Sequence, residues 1–102
     1  MTMPLHEMGL DPDQIAAFCR RHGIVRFSIF GSVLRADFGS TSDIDVLVEF
    51  APGDTPSLLD LGGMQVELSA MCGRTVDLKT PGFLSPRILR QVLAERVVEY
   101  AA

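Results

Sequence analysis

The stretch GSVLRADFGSTSDIDVLVE, residues 31–49, decides how the rest of the chain is read. It opens on Gly31-Ser32, runs through ten residues, and closes on Asp43-Ile44-Asp45-Val46-Leu47-Val48-Glu49. The alternation in the closing segment predicts a strand from Asp43 or Ile44 to Phe50. Ile44, Val46, Val48 and Phe50 then share one face, and Asp43, Asp45, Leu47 and Glu49 the other. Gly31-Ser32 ends an apolar run, IVRFSIF over residues 24–30, that reads as a strand with Val25, Phe27 and Ile29 on one face. Residues 33–36 can add one helical turn after it. Small residues at such a junction present free N–H groups to anions, and Ser32 adds a hydroxyl. Asp43 and Asp45 have Cα atoms about 6.6 Å apart on one strand face. Side chains so placed can share one or two divalent ions held ~3.5–4 Å apart. A lone Asp-x-Asp is usually a solvated edge strand, and a lone Gly-Ser is usually a turn. Together, on consecutive strands, they point to a site for a nucleoside triphosphate and divalent metal ions.

Outward from this stretch the chain alternates helices and strands. Residues 1–9 read as a loose leader. Asp11 is placed to cap a helix that has Pro12 in its first turn, and Gly23 is placed to end it. Ile15, Phe18, Cys19 and His22 form its inward stripe, with His22 read as a helix-end residue rather than a catalytic one. After the strand of residues 44–50, APGDTP over residues 51–56 is a turn. Ser57 with Asp60 forms a capping box for a helix reaching Cys72, whose stripe is Leu58, Leu61, Met64, Leu68 and Met71. Gly62-Gly63 inside that helix predicts a kink or close packing. TVDLK over residues 75–79 is a short strand with Asp77 on the face opposite Val76 and Leu78. Ser85-Pro86 starts a last helix with Ile88, Leu89, Val92 and Leu93 inward. Residues 97–100 are that helix's tail or a short edge strand, and Tyr100 is read as packing. This order implies one small domain spanning residues 1–102, with a sheet of three or four strands and helices packed on one face.

Composition narrows the function classes. Nine basic against thirteen acidic residues give a net charge of −4, which disfavours a general nucleic-acid binder. Cys19 and Cys72 are far apart in sequence and lack a metal-ligand pattern, so a reducing compartment and ordinary packing are expected. No signal-like leader and no run approaching the ~18 apolar residues of a membrane span is seen, which predicts a cytoplasmic protein. If residues 75–79 lie beside residues 44–50, Asp77 joins Asp43 and Asp45. An all-oxygen donor set of this kind favours magnesium, or manganese, over zinc.

The combination resembles the minimal nucleotidyltransferases of the polymerase-beta-like superfamily. The matching signature is Gly-Ser, ten residues and Asp-x-Asp, with the third acid in TVDLKT over residues 75–80. The resemblance extends to element order and length and covers most of the chain. It implies a small mixed sheet flanked by helices. It also implies that Gly31 and Ser32 hold nucleotide phosphates and that Asp43 and Asp45 bind two magnesium ions. Asp77 would complete one metal site and help activate the incoming hydroxyl. Arg35, followed by Ala36 where many relatives have Gly, contacts phosphate or pairs with Asp37 or Glu49. Glu49 itself reads as a solvated rim residue, and Lys79 as either a neutralising cation or a solvated one.

Larger relatives add a lobe for the acceptor, and a chain of this size has no room for one. Short stand-alone members of the resembling family are antitoxins paired with a small helical HEPN-type ribonuclease toxin. They transfer AMP from ATP to a toxin hydroxyl, typically a tyrosine. The resemblance therefore implies a magnesium-dependent nucleotidyltransferase with ATP as substrate and a HEPN-type toxin as partner. Two other readings compete. One is an antitoxin that neutralises by contact with a vestigial nucleotide site; the other is adenylyl transfer to a small molecule.

Overall fold

The computed structural model describes residues 9–31 and 43–102. The predicted turn over residues 33–36, the polar loop over 38–42 and most of the expected leader lie outside the described residues. Gly9, read as leader, belongs to the fold: a Cβ there would lie 2.3 Å from the Cys72 carbonyl oxygen. Leu10 beside it is buried.

Helix α1 (Pro12–His22) starts where the Asp11 carboxylate accepts the Asp13 N–H at 2.8 Å, and it ends at Gly23 in the left-handed region. Strand β1 (Ile24–Phe30) leads towards the Gly-Ser turn, and β2 (Ile44–Phe50) returns antiparallel beside it. Helix α2 (Leu58–Cys72) opens on the predicted capping box between Ser57 and Asp60 and closes at Gly73. Strand β3 (Val76–Lys79) then runs parallel to β2. A single 3₁₀ turn, Pro81–Phe83, leads to α3 (Pro86–Glu95), and the chain finishes in β4 (Val97–Ala101). The sheet order is β3-β2-β1-β4, with β4 antiparallel to β1. The tail of the chain is therefore an edge strand, and the sheet is mixed and four-stranded.

One face of this sheet carries the core. Phe27 and Ile29 of β1, Ile44, Val46 and Val48 of β2, and Val76 and Leu78 of β3 pack against α1 and α2. The helices contribute Ile15, Phe18 and Cys19, then Leu61, Met64, Leu68 and Cys72. Val25 does not join them. The ladder between β1 and β2 is irregular between Ile24 and Arg26, which turns Ile24 inward and leaves Val25 half-buried. Helix α2 also shields the edge of β3: the Ser69 hydroxyl accepts the Val76 N–H at 3.0 Å, and Gln65 Oε1 accepts the Leu78 N–H at 2.9 Å. An edge whose donors are already taken is a poor template for another strand.

Three expectations about the helices are corrected. The Gly62-Gly63 pair does not pack closely, because a Cβ at either position would meet nothing within 4 Å, and α2 continues as helix through both. Leu58, placed on the inward stripe, is 72% exposed. In α3 only Val92 is buried, while Ile88 and Leu93 are each 43% exposed. The reason is geometric, since α3 does not join the main core. The residue after its end, Arg96, is instead paired with Glu49 on the face opposite that core.

Candidate functional site

The face opposite the core carries Asp45 on β2 and Asp77 on β3. Parallel pairing sets Asp45 directly opposite Asp77, one step before Val46 opposite Leu78 and two before Leu47 opposite Lys79. Neighbouring strands lie ~4.8 Å apart, so the two carboxylates, both half-buried, project side by side. The bond from the Ile44 N–H to the Thr75 carbonyl, 2.9 Å, fixes this register at the strand entrance. Asp43 is exposed immediately ahead of β2.

Gly31 meets this pair from β1. Phe30 lies opposite Asp45 in the antiparallel ladder, which brings the next residue over the carboxylate. Gly31 has φ +80, and a Cβ on it would sit 2.2 Å from Asp45 Oδ2 and 3.0 Å from Asp45 Cγ. Gly31 and the acidic strand are thus in contact through space. Ser32 and Arg35 lie outside the described residues.

Charges around the pair are partitioned. Lys79 Nζ lies 3.3 Å from Asp77 Oδ1. Glu49, expected as a solvated rim residue, instead holds two cations: Arg26 at 3.5 Å across the ladder, and Arg96 from beyond α3. Its side chain is only 23% exposed, and it ties three elements together. Sequence reasoning missed this role because Arg96 lies 47 residues away; its position just past a helix end was the one available signal. Ser28, on the same face and opposite Leu47, is fully buried, and among the described residues its hydroxyl has no hydrogen-bond partner.

The donor set suits a hard cation that arrives with its own ligands. Magnesium is commonly held by one or two carboxylates together with waters and substrate phosphates, rather than by a protein cage. Asp45 and Asp77 offer two carboxylates in register, and Asp43 stands at the entrance. Among the described residues no group of three His, Cys, Asp or Glu is arranged to hold a metal ion by itself.

A cavity of about 660 Å³ lies at the Phe50 end of β2, away from Asp45. Of its lining residues, Arg21, His22, Asp60 and Glu67 are engaged in holding or capping helices. Glu67 accepts from Arg21 Nη2 at 2.5 Å and lies 3.0 Å from His22 Nε2, while Asp60 caps α2. His22 is therefore the helix-end residue that the sequence suggested. Among the described residues no helix is long and apolar enough to cross a membrane.

Known proteins are similar in sequence and fold. The nucleotidyltransferase domain family matches residues 13–98. The Methanocaldococcus jannaschii protein MJ0435, a candidate protein adenylyltransferase by its name, is 44% identical over 77 residues, which cover 76% of this chain and 81% of that protein. A solved structure of a candidate minimal nucleotidyltransferase superposes with a TM-score of 0.75 at 36% identity, over 93% of this chain and 95% of the other. A tri-AMPylated Shewanella oneidensis HEPN toxin in complex with MNT antitoxin also contains the fold. The TM-score there is 0.67 at 20% identity, over 89% of this chain and 70% of the matched one.

Proposed function

The chain belongs to the nucleotidyltransferase domain family, and from that premise we propose that it transfers AMP from ATP, with magnesium, to a hydroxyl of a HEPN-type ribonuclease toxin. The acceptor is a tyrosine, and the transfer silences the toxin, which makes this chain its antitoxin. The observation that carries the reading is the in-register pair Asp45 and Asp77 with Gly31 seated against Asp45. Further support comes from the name carried by MJ0435 at 44% identity, and from the fold shared with a chain of a toxin–antitoxin complex.

In this mechanism Asp43, Asp45 and Asp77 are the residues that would hold magnesium, which would there polarise the α-phosphate as a Lewis acid and offset the charge of the leaving pyrophosphate. Gly31 and Ser32 offer backbone N–H groups to the phosphates, electrostatic work in which preorganised donors cost little reorganisation. Arg35, three residues after Ser32, adds a phosphate contact. Asp77, on the outer of the two acidic strands, accepts the proton of the attacking hydroxyl. The chain's acidic balance suits a protein acceptor better than a polyanionic one.

The test uses α-labelled ATP, magnesium and a purified HEPN-type toxin. Label is expected in the toxin with the wild-type chain and absent with the D43N/D45N double variant. No incorporation at saturating metal would sink the enzymatic reading. Intact neutralisation of the toxin in cells by the D43N/D45N chain would establish neutralisation by contact instead.

A further inference from the structure

We propose that Lys79 is the resident counter-ion of the acidic pair, holding Asp77 until a nucleotide-borne metal ion displaces it. The inference rests on the site described under the proposed function and concerns a residue that the reading leaves without a role.

Four observations carry it. Asp45 and Asp77 are forced side by side by the parallel register, so their ionised carboxylates repel unless a cation stands near. Lys79 follows Asp77 by two residues on the same strand face, and its ammonium reaches back to Asp77 Oδ1 at 3.3 Å. Its register partner on β2 is Leu47, fully buried and apolar, so β2 offers no carboxylate at that level. The next acid along β2, Glu49, is already held by Arg26 and Arg96. Glu49 thus keeps Arg26 and Arg96, while Lys79 stands at the candidate site.

The consequence is competition. The ammonium and a divalent cation compete for the charge of the Asp77 carboxylate, so a metal ion arriving alone binds against the repulsion of Lys79 or displaces it. A metal ion arriving on a nucleotide brings phosphates that give the ammonium a new anionic partner. Lys79 thereby disfavours free metal relative to metal–nucleotide and acts as a positioning and specificity residue. It forms and breaks no covalent bond. The bland alternative is a half-exposed surface ion pair with no effect on ligands.

The experiment compares wild type with Lys79→Met, Lys79→Gln and Lys79→Arg. Free Mn²⁺ binding is followed by electron paramagnetic resonance, and Mg²⁺·AMP-PNP binding by calorimetry. Without the ammonium, free Mn²⁺ should bind roughly fivefold tighter, as loss of a surface ion pair allows. Mg²⁺·AMP-PNP should bind no tighter, so the preference for nucleotide-borne metal falls, and Lys79→Arg should keep the wild-type preference. Circular dichroism checks the fold, and Lys79→Gln serves if the Met variant is unstable. Unchanged or weakened Mn²⁺ binding in both neutral variants overturns the role of Lys79 while leaving the site intact. Failure of wild type to bind Mn²⁺ at all, with Asp77→Asn indistinguishable from it, overturns both.

Discussion

Glycine at position 31 is demanded by two separate constraints. Its φ of +80 lies in the region that side chains avoid, and the Asp45 carboxylate occupies the space a Cβ would need. Gly23 supplies the control, with φ +72 but nothing within 4 Å of the point a Cβ would occupy. Gly23→Ala should cost about 1 kcal/mol of stability through strain alone and leave ligands untouched. Gly31→Ala should add displacement of Asp45, lowering Mg²⁺·ATP affinity at least roughly tenfold by calorimetry, a loss of the size seen when the groups orienting metal ligands are mutated. Equal affinity in Gly31→Ala and wild type would mean that the contact is incidental. The acids were legible in the sequence because strand alternation has a period of two, which assigns faces without knowledge of partners. The Gly31–Asp45 contact and the Glu49 ion pairs were not legible. Each joins residues from different strands or elements, and only register decides which side chains meet.

Helix boundaries were legible for the same local reason. Asp11, Ser57 with Asp60, Gly23 and Gly73 all act within a few residues of the backbone they cap. Which apolar face finds a sheet was not legible, since amphipathicity marks a helix face but not what lies opposite it. The outer side of α2 shows the gap: Leu58, Leu59 and Val66 are 72%, 87% and 70% exposed, with Gly62 and Gly63 exposed between them. These glycines have ordinary helical backbone and open space around them, so nothing in the described structure requires them. Replacing both with alanine should stabilise the fold by about 1 kcal/mol per site, the helix-propensity difference. In thermal melts each kcal/mol should raise Tm by roughly 4–8 °C for a domain of this size. A fall in Tm would show that a methyl there meets chain outside the described residues.

Across the whole molecule, two glutamates give stability opposite dependences on pH. The Arg21 hydrogen bond holds the Glu67 carboxyl below its usual value of 4.5, against a smaller opposing effect of burial. A depressed folded pKa means that the folded state binds the proton less readily than the unfolded chain. The link between α1 and α2 therefore stabilises at neutral pH and is lost as pH falls through the folded value. Glu99 on β4 is the reverse, since burial raises its carboxyl above 4.5. Its ionised form is penalised in the fold, so this contribution favours folding in acid and is lost as pH rises through the raised value. Denaturant melts of Glu67→Gln and Glu99→Gln from about pH 3 to 8 separate the two effects. Glu67→Gln should be less stable than wild type at neutral pH by up to about 1 kcal/mol, because the pair is partly exposed and screened. Glu99→Gln should be the more stable of the two and should exceed wild type at neutral pH. Both differences should shrink as the pH drops below the ordinary carboxylate range. Parallel curves with constant offsets would mean that neither carboxylate's ionisation is coupled to folding.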